Sequence, residues 1–209
     1  SKHTGISFLL IDMASLGVST RPIKLISGKS PFCETFFDSV EVPKENLVGS
    51  LNNGWTIAKY LLTHERQMIG GIGETDKKEF ISDQAINIIS KTNEILSDTV
   101  LRSKISEFEM NEEIFDLTIQ RTMDEEKSGN SSGATSSFFK YYGTELNIQR
   151  EELRLSINGF KSTEWTSDES HNGKQARYFC RTKGNSIEGG THEVQLNIIA
   201  KRILGLPSK

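Results

Sequence analysis

The spacing of hydrophobic and polar positions changes character near residue 50. Before it, apolar residues alternate in short runs broken by turn formers, and residues 6–12, 18–26 and 34–42 read as strands. Gly17 and Gly28-Lys29-Ser30-Pro31 supply the turns, and three of the four prolines (Pro22, Pro31, Pro43) fall in this stretch. Three strands rarely stand alone, because a small sheet needs a covered face and partners for its edges. This region is therefore expected to belong to a larger sheet, with its remaining strands upstream of Ser1 or on another chain. From Gly54 to Pro207 no proline intervenes, and helical periodicity predicts helices near 54–72, 78–96, 100–127, 133–158, 173–185 and 191–204. The third carries Leu101, Ile105, Phe108, Phe115 and Ile119 at spacings suited to one buried face, and the fourth carries Phe139, Tyr142, Leu146 and Leu153. Residues 161–174 are polar around Trp165 and read as a mobile surface loop. The fold class is thus mainly α with a short β segment, with a partial β-domain over 1–50 and a helical bundle domain over 51–209.

The first helix holds the most informative side chain. Trp55, Ala58, Leu62, Ile69 and Ile72 share one arc, while Thr56, Lys59, Thr63, Arg66 and Gln67 lie opposite, and Glu65 falls within the apolar arc. A carboxylate held against apolar surface resists ionisation, which would suit a general base working near neutrality. The ordinary alternative is a glutamate paired with an arginine, and Glu112, set between Phe108 and Phe115, shows the same pattern. A second candidate is Asn185-Ser186-Ile187-Glu188-Gly189-Gly190-Thr191-His192-Glu193, which leads into the last helix. Two glycines before a Thr191 N-cap leave backbone N–H groups open to a carbonyl-rich or anionic ligand, or form an ordinary capped turn. His192 reads as a surface residue of the first turn.

Composition narrows the function classes. The 209 residues carry 25 Lys and Arg against 28 Asp and Glu, a net charge of -3, so no positive field is available for nucleic acid. The longest early apolar run, residues 8–11, is far short of the roughly 20 residues that span a bilayer, so no membrane association is expected. Cys33 and Cys180 are distant in sequence and read as reduced thiols, as in bacterial cytoplasm or a mitochondrial matrix. No metal-ligand cluster, dinucleotide fingerprint, Walker loop or nucleophile elbow is found, so the expected metal is none.

Taken in order, several stretches resemble the second half of the acyl-CoA dehydrogenase family. They are Gly5-Ile6-Ser7-Phe8-Leu9-Leu10-Ile11-Asp12-Met13, Glu34-Thr35-Phe36-Phe37-Asp38-Ser39-Val40-Glu41-Val42-Pro43, Asn46-Leu47-Val48-Gly49 and Gly54-Trp55. His64-Glu65-Arg66 follows, and the series ends with Gly189-Gly190-Thr191-His192-Glu193-Val194-Gln195 and the run through Gly205-Leu206-Pro207. Residues 131–152, with Lys140-Tyr141-Tyr142-Gly143-Thr144-Glu145, are similar to the branch that includes the pimeloyl-CoA dehydrogenase large subunit.

The resemblance implies the last strands of a middle β-domain followed by a C-terminal four-helix bundle, and assembly as a homo-dimer or tetramer through that bundle. It implies FAD as cofactor, an acyl-CoA substrate and an electron-transfer flavoprotein partner. The implied reaction is α,β-dehydrogenation: a glutamate removes the α-proton while the β-hydrogen leaves as hydride to the flavin. One family location for that glutamate is occupied here by Gly189, with Glu188 adjacent as the alternative base. The other is a Glu-Arg pair on the first bundle helix, matching Glu65 as base and Arg66 in substrate binding. Gly189, Gly190, Thr191 and Glu193 would contact the flavin, with its phosphates or adenosine near the last helix. The family's arginine after the first bundle helix, which reaches a neighbouring subunit's cofactor, has no counterpart over 73–101. The chain alone is expected to show little activity and weak FAD binding. The competing expectation is a non-catalytic helical assembly subunit that pairs with an active partner.

Overall fold

The computed structural model describes residues 2–69, 79–89, 91–92, 95–129 and 135–207. The protein is mainly helical with short strands, in two compact units, Ser1–Glu65 and Arg66–Lys209.

In the first unit, strand β1 (Phe8–Leu9) is short, β2 (Val18–Ile23) and β3 (Phe32–Phe37) form an antiparallel hairpin, and β4 (Leu47–Val48) returns to pair with β1. The strands are shorter than the alternation predicts, and they form two separate ladders rather than one sheet. The hairpin is exposed along nearly its whole length, with Phe36 and Phe37 about half accessible, so its apolar side chains lack cover among the described residues. Helix α1 (Gly54–Ile69) starts against β1. The Gly54 N–H donates to the Ile6 carbonyl at 2.8 Å, and the Asn52 N–H donates to Ser7 Oγ at 2.9 Å. A Cβ on Gly54 would lie 2.4 Å from the Ser7 carbonyl carbon, so only glycine allows this approach. Residues 70–72, at the end of the helix expected over 54–72, lie outside the described residues.

The second unit begins with α2 (Ile81–Ile88), followed by a short ladder of β5 (Lys91–Thr92) and β6 (Ile95–Leu96). Helical periodicity predicts one helix over 78–96, but α2 stops at Ile88 and Ile89 turns extended. The run Ile89-Ser90-Lys91-Thr92-Asn93 contributes β-branched and turn-forming residues that propagate a helix poorly. Asp98 opens α3 (Thr99–Lys127) by accepting the N–H groups of Val100 at 3.0 Å and Leu101 at 2.9 Å. Helix α4 (Thr135–Asn158) is the centre of the unit and packs against α2, α3, α5 (Lys174–Thr182) and α6 (His192–Arg202).

The apolar faces meet as their spacing predicts. Leu101, Ile105, Phe108 and Phe115 of α3 pack with Phe139, Leu146, Leu153 and Ile157 of α4, and Ile81 and Ala85 of α2 complete the core. Phe115 sits edge-on to Phe139 at 5.9 Å, and Phe138 stacks on Tyr142 at 5.6 Å. Glu112 takes the ordinary alternative: it is buried among these side chains and ion-paired with Arg150. The stretch expected to be a mobile loop is tied down instead. Arg177 lies over the Trp165 ring at 4.3 Å, and the buried Ser162 donates to the carbonyls of Leu155 and Gly159. Gly173, at φ +70°, lets the chain pass the Trp165 carbonyl, which a Cβ would meet at 2.5 Å.

Candidate functional site

Helix α1 presents Glu65 to solvent. The expected seat against apolar surface is not formed among the described residues, because the apolar arc is itself uncovered: Leu61 is 53% exposed and Leu62 39%. Among the described residues Glu65 has no ion pair and no hydrogen-bond partner, so its carboxylate is uncommitted. Tyr60 packs edge-on to His64 at 4.6 Å one turn back. The side chain of Arg66 lies outside the described residues.

Glu188 is in the opposite situation. Arg181 Nη2 donates to Oε2 at 2.9 Å and to Oε1 at 3.2 Å, and Asn185 Nδ2 also donates to Oε1. Both oxygens are engaged, so this carboxylate fixes the loop before α6.

The segment from Asn185 to Glu193 is held by several hydrogen bonds. Gly189 and Gly190 both have φ in the left-handed region, +65° and +91°. Thr191 caps α6, its Oγ1 accepting the Val194 N–H at 3.3 Å. The backbone N–H groups of Gly190, Thr191 and His192 have no acceptor among the described residues. Gln195 is wholly buried and donates to the Gly189 carbonyl at 2.8 Å, while its Oε1 is unpartnered among the described residues. The Glu193 carboxylate takes its own backbone N–H and the Thr191 hydroxyl, and these bonds hold it below the usual carboxylate range.

Sequence reasoning missed what stands behind this turn. His192 is not a surface residue: its side chain is 13% exposed, with Nε2 2.9 Å from Thr144 Oγ1, Nδ1 3.1 Å from Glu145 and the ring edge-on to Tyr141. Burial, then the nearby Lys140 charge, lower its proton affinity below the ordinary histidine range, while Glu145 and Glu193 oppose this less strongly. Lys140 is entirely buried, its Nζ donating to the Asn185 carbonyl at 3.0 Å. Burial lowers its proton affinity too, against the opposing fields of Glu188, Glu193 and Glu145. Asn147 Nδ2 donates to Asn185 Oδ1 at 2.9 Å. A signal was available: Ser137, Lys140, Thr144, Asn147 and Glu151 recur at spacings of three and four, a polar stripe along a helix whose neighbouring stripe is apolar.

The turn offers hydrogen-bond donors to a ligand. Open N–H groups beside two glycines can donate to the oxygens of a flat group at close range. The anionic Glu193 on the same first turn argues against a phosphate there and for hydroxyl or carbonyl oxygens. Among the described residues, no group of His, Cys, Asp and Glu could hold a metal ion, and no helix is long and apolar enough to cross a membrane.

Comparison with known proteins gives the same direction. The chain is 30% identical over 210 residues to the acyl-CoA dehydrogenase FadE34 of Mycobacterium tuberculosis, an alignment covering 99% of this chain and 27% of that protein. It is 27% identical to the acyl-CoA dehydrogenase IpdE1 of Mycolicibacterium smegmatis, over 99% of this chain and 50% of the relative. The chain thus spans half or less of the length of these relatives. Among solved structures, the ChsE4-ChsE5 complex of Mycobacterium tuberculosis superimposes with a TM-score of 0.76 at 25% identity, over 100% of this chain and 55% of that one. The Tcur3481-Tcur3483 steroid acyl-CoA dehydrogenase gives a TM-score of 0.82 at 23% identity, over 100% and 54%, a likeness of fold. The sequence model for the C-terminal domain of acyl-CoA dehydrogenases matches residues 52–204, which contain both α1 and the glycine turn. With the fold, the ordered motifs and most of its length in agreement, this chain belongs to the acyl-CoA dehydrogenase family.

Proposed function

We propose that this chain is the C-terminal portion of an FAD-dependent acyl-CoA dehydrogenase that removes hydrogen across the α and β carbons of an acyl-CoA thioester. FAD, when bound, supplies the hydride acceptor for the β-hydrogen. Glu65 takes the α-proton on its carboxylate, and Arg66 assists in holding the substrate. Gly190 and Thr191 offer backbone N–H groups to the cofactor's polar edge, Gly189 lets it approach the backbone closely, and Glu193 favours its sugar hydroxyls over its phosphates. Desolvation of Glu65, needed for a base active near neutrality, would have to come from substrate and from surfaces outside the described residues. The observation that carries the assignment is the contrast between the two carboxylates: Glu65 is uncommitted on a helix with an open apolar arc, whereas both oxygens of Glu188 are bound to Arg181 and Asn185.

The test is a pair of substitutions in the full-length protein assayed with acyl-CoA thioesters and an artificial electron acceptor. Glu65→Gln lowers kcat by about 10²–10⁴, the usual worth of a general base. Glu188→Gln lowers it far less. Turnover at the wild-type rate in Glu65→Gln would remove the assignment. Because the chain spans about half or less of the length of its relatives, it is expected by itself to bind FAD weakly and turn over little. Retention of yellow colour and full turnover by residues 1–209 alone would contradict this.

A second reading, a non-catalytic helical subunit paired with an active partner, draws on the apolar surface of α3. Met110, Ile114 and Leu117 are each about half exposed on one outer stripe. Unchanged activity of the assembled enzyme after Glu65→Gln would favour it. Homo-oligomerisation through the bundle, and electron delivery to an electron-transfer flavoprotein, are parts of the first reading. Location in bacterial cytoplasm or a mitochondrial matrix is also proposed.

A further inference from the structure

The polar stripe of α4 does more than fill space. Lys140, Thr144 and Asn147 lie on one face and reach both ends of the loop before α6: Lys140 Nζ and Asn147 Nδ2 hold Asn185, and Thr144 Oγ1 meets His192. Between these anchors lie the two left-handed glycines, and the Gly189 carbonyl is held in the middle by Gln195. A glycine pair is the most conformationally free dipeptide a chain can contain, so its unclamped form would populate many shapes and bind a flat ligand at an entropic cost. Burying a lysine is also expensive, and an apolar side chain of similar size usually stabilises a core as well or better. The cost is rational if the ammonium has a task that a methionine cannot perform.

We infer that Lys140 is a positioning residue for the Gly-Gly-Thr turn, holding the backbone of residues 185–192 in the shape that receives the cofactor. The inference rests on the proposed role of this turn in flavin contact. Lys140 touches neither substrate nor cofactor; it acts through the Asn185 carbonyl. Asn147 and the pair Thr144 and His192 secure the flanks, and the wholly buried Lys140 fixes the entry to the turn.

The test uses the full-length protein with Lys140→Met, which keeps the volume and removes the donor, and Lys140→Gln, which restores an N–H donor without charge. Hydrogen exchange by mass spectrometry reads the amides of Ile187 and Glu188, both held by the Gly184 carbonyl, in the absence of FAD, and titration with FAD reads affinity. Lys140→Met is expected to exchange at least tenfold faster at these amides and to bind FAD at least tenfold more weakly, with a melting temperature equal to or above wild type. Lys140→Gln is expected to recover part of both losses. Should Lys140→Met fail to fold, Lys140→Gln alone decides: wild-type exchange at Ile187 and Glu188 despite its shorter, uncharged side chain overturns the inference, and exchange faster than wild type supports it. Unchanged exchange in Lys140→Met likewise overturns it, whatever happens to FAD. Faster exchange with unchanged FAD affinity supports the positioning of the turn and instead refutes its role as a cofactor contact.

Discussion

Gly54 offers a direct measurement of how tightly α1, and with it Glu65, is fixed. Its φ lies outside the left-handed region, so alanine is locally acceptable and would gain up to about 1 kcal/mol of helix propensity. Packing reverses the sign. The new Cβ would sit 2.4 Å from the Ser7 carbonyl carbon, 2.7 Å from the Phe8 nitrogen and 2.8 Å from the Ser7 Cα. All three are backbone atoms about 1 Å inside ordinary contact, so no side chain can rotate away to make room. The helix start must retreat from β1, at an overpacking cost of about 1–3 kcal/mol. Retreat also stretches the bond from the Gly54 N–H to the Ile6 carbonyl, worth about 0.5–1.5 kcal/mol. The net expectation for Gly54→Ala is a loss of about 1–3 kcal/mol, a shift of about 1 M in a urea midpoint. Trp55 is adjacent and stacks on His3 at 4.2 Å, so its fluorescence in a Trp165→Phe background reports this unit directly. A midpoint equal to or above that of the parent would refute the close approach. With Glu65 as the base proposed above, displacement of α1 by about 1 Å in the full-length protein is expected to lower kcat by about 10²-fold, since misplacement on this scale spoils reacting geometry.

Asp98 accepts two N–H groups at the start of α3, and Asp98→Ala is expected to cost about 0.5–2 kcal/mol. A melting temperature unchanged by that substitution would show that the cap contributes nothing. His192 gives a pH dependence. Its proton affinity is lowered in the folded protein, so the unfolded chain binds the extra proton more readily and stability rises with pH. Its contribution is complete above the ordinary histidine value and is lost as pH falls through that value towards the lowered one. The melting temperature should therefore fall between about pH 7 and 5 in wild type and fall less steeply in His192→Gln, and parallel curves would refute the assignment.

Helix positions were readable where one face is apolar and the other wet. Leu101, Ile105, Phe108 and Phe115 announce the buried side of α3 because they recur at the helical period, and the same holds for Phe139, Leu146 and Leu153 of α4. The pattern failed where period and propensity diverge. Ile88 and Ile89 continue the apolar rhythm of α2, yet the backbone turns extended at Ile89, since side-chain spacing carries no information about where hydrogen bonding stops. It also failed for Glu65, whose apolar arc is real in sequence but uncovered among the described residues. A hydrophobic stripe states that a surface prefers cover; it does not state which surface provides it.

The same limit explains the unread half of the candidate site. Periodicity assigns polar residues to solvent, so Lys140, Thr144 and Glu151 are placed outside by the reasoning that correctly places Phe139 and Leu146 inside. In the structure both stripes are buried, one against α3 and the other against the segments that carry Gln175, Asn185 and His192. The two interfaces have different physical consequences. Apolar packing against α3 tolerates substitutions that conserve volume, with the buried Glu112–Arg150 pair adding a fixed partner within it. Hydrogen bonds to Asn185, His192 and Gln175 have fixed partners and angles, so they admit a single register of the last two helices on α4. A helix that needs only to be covered can use leucine; one that must hold a glycine turn in one shape needs donors at particular positions. That requirement links the burial of a lysine in α4 to the precision of the loop before α6.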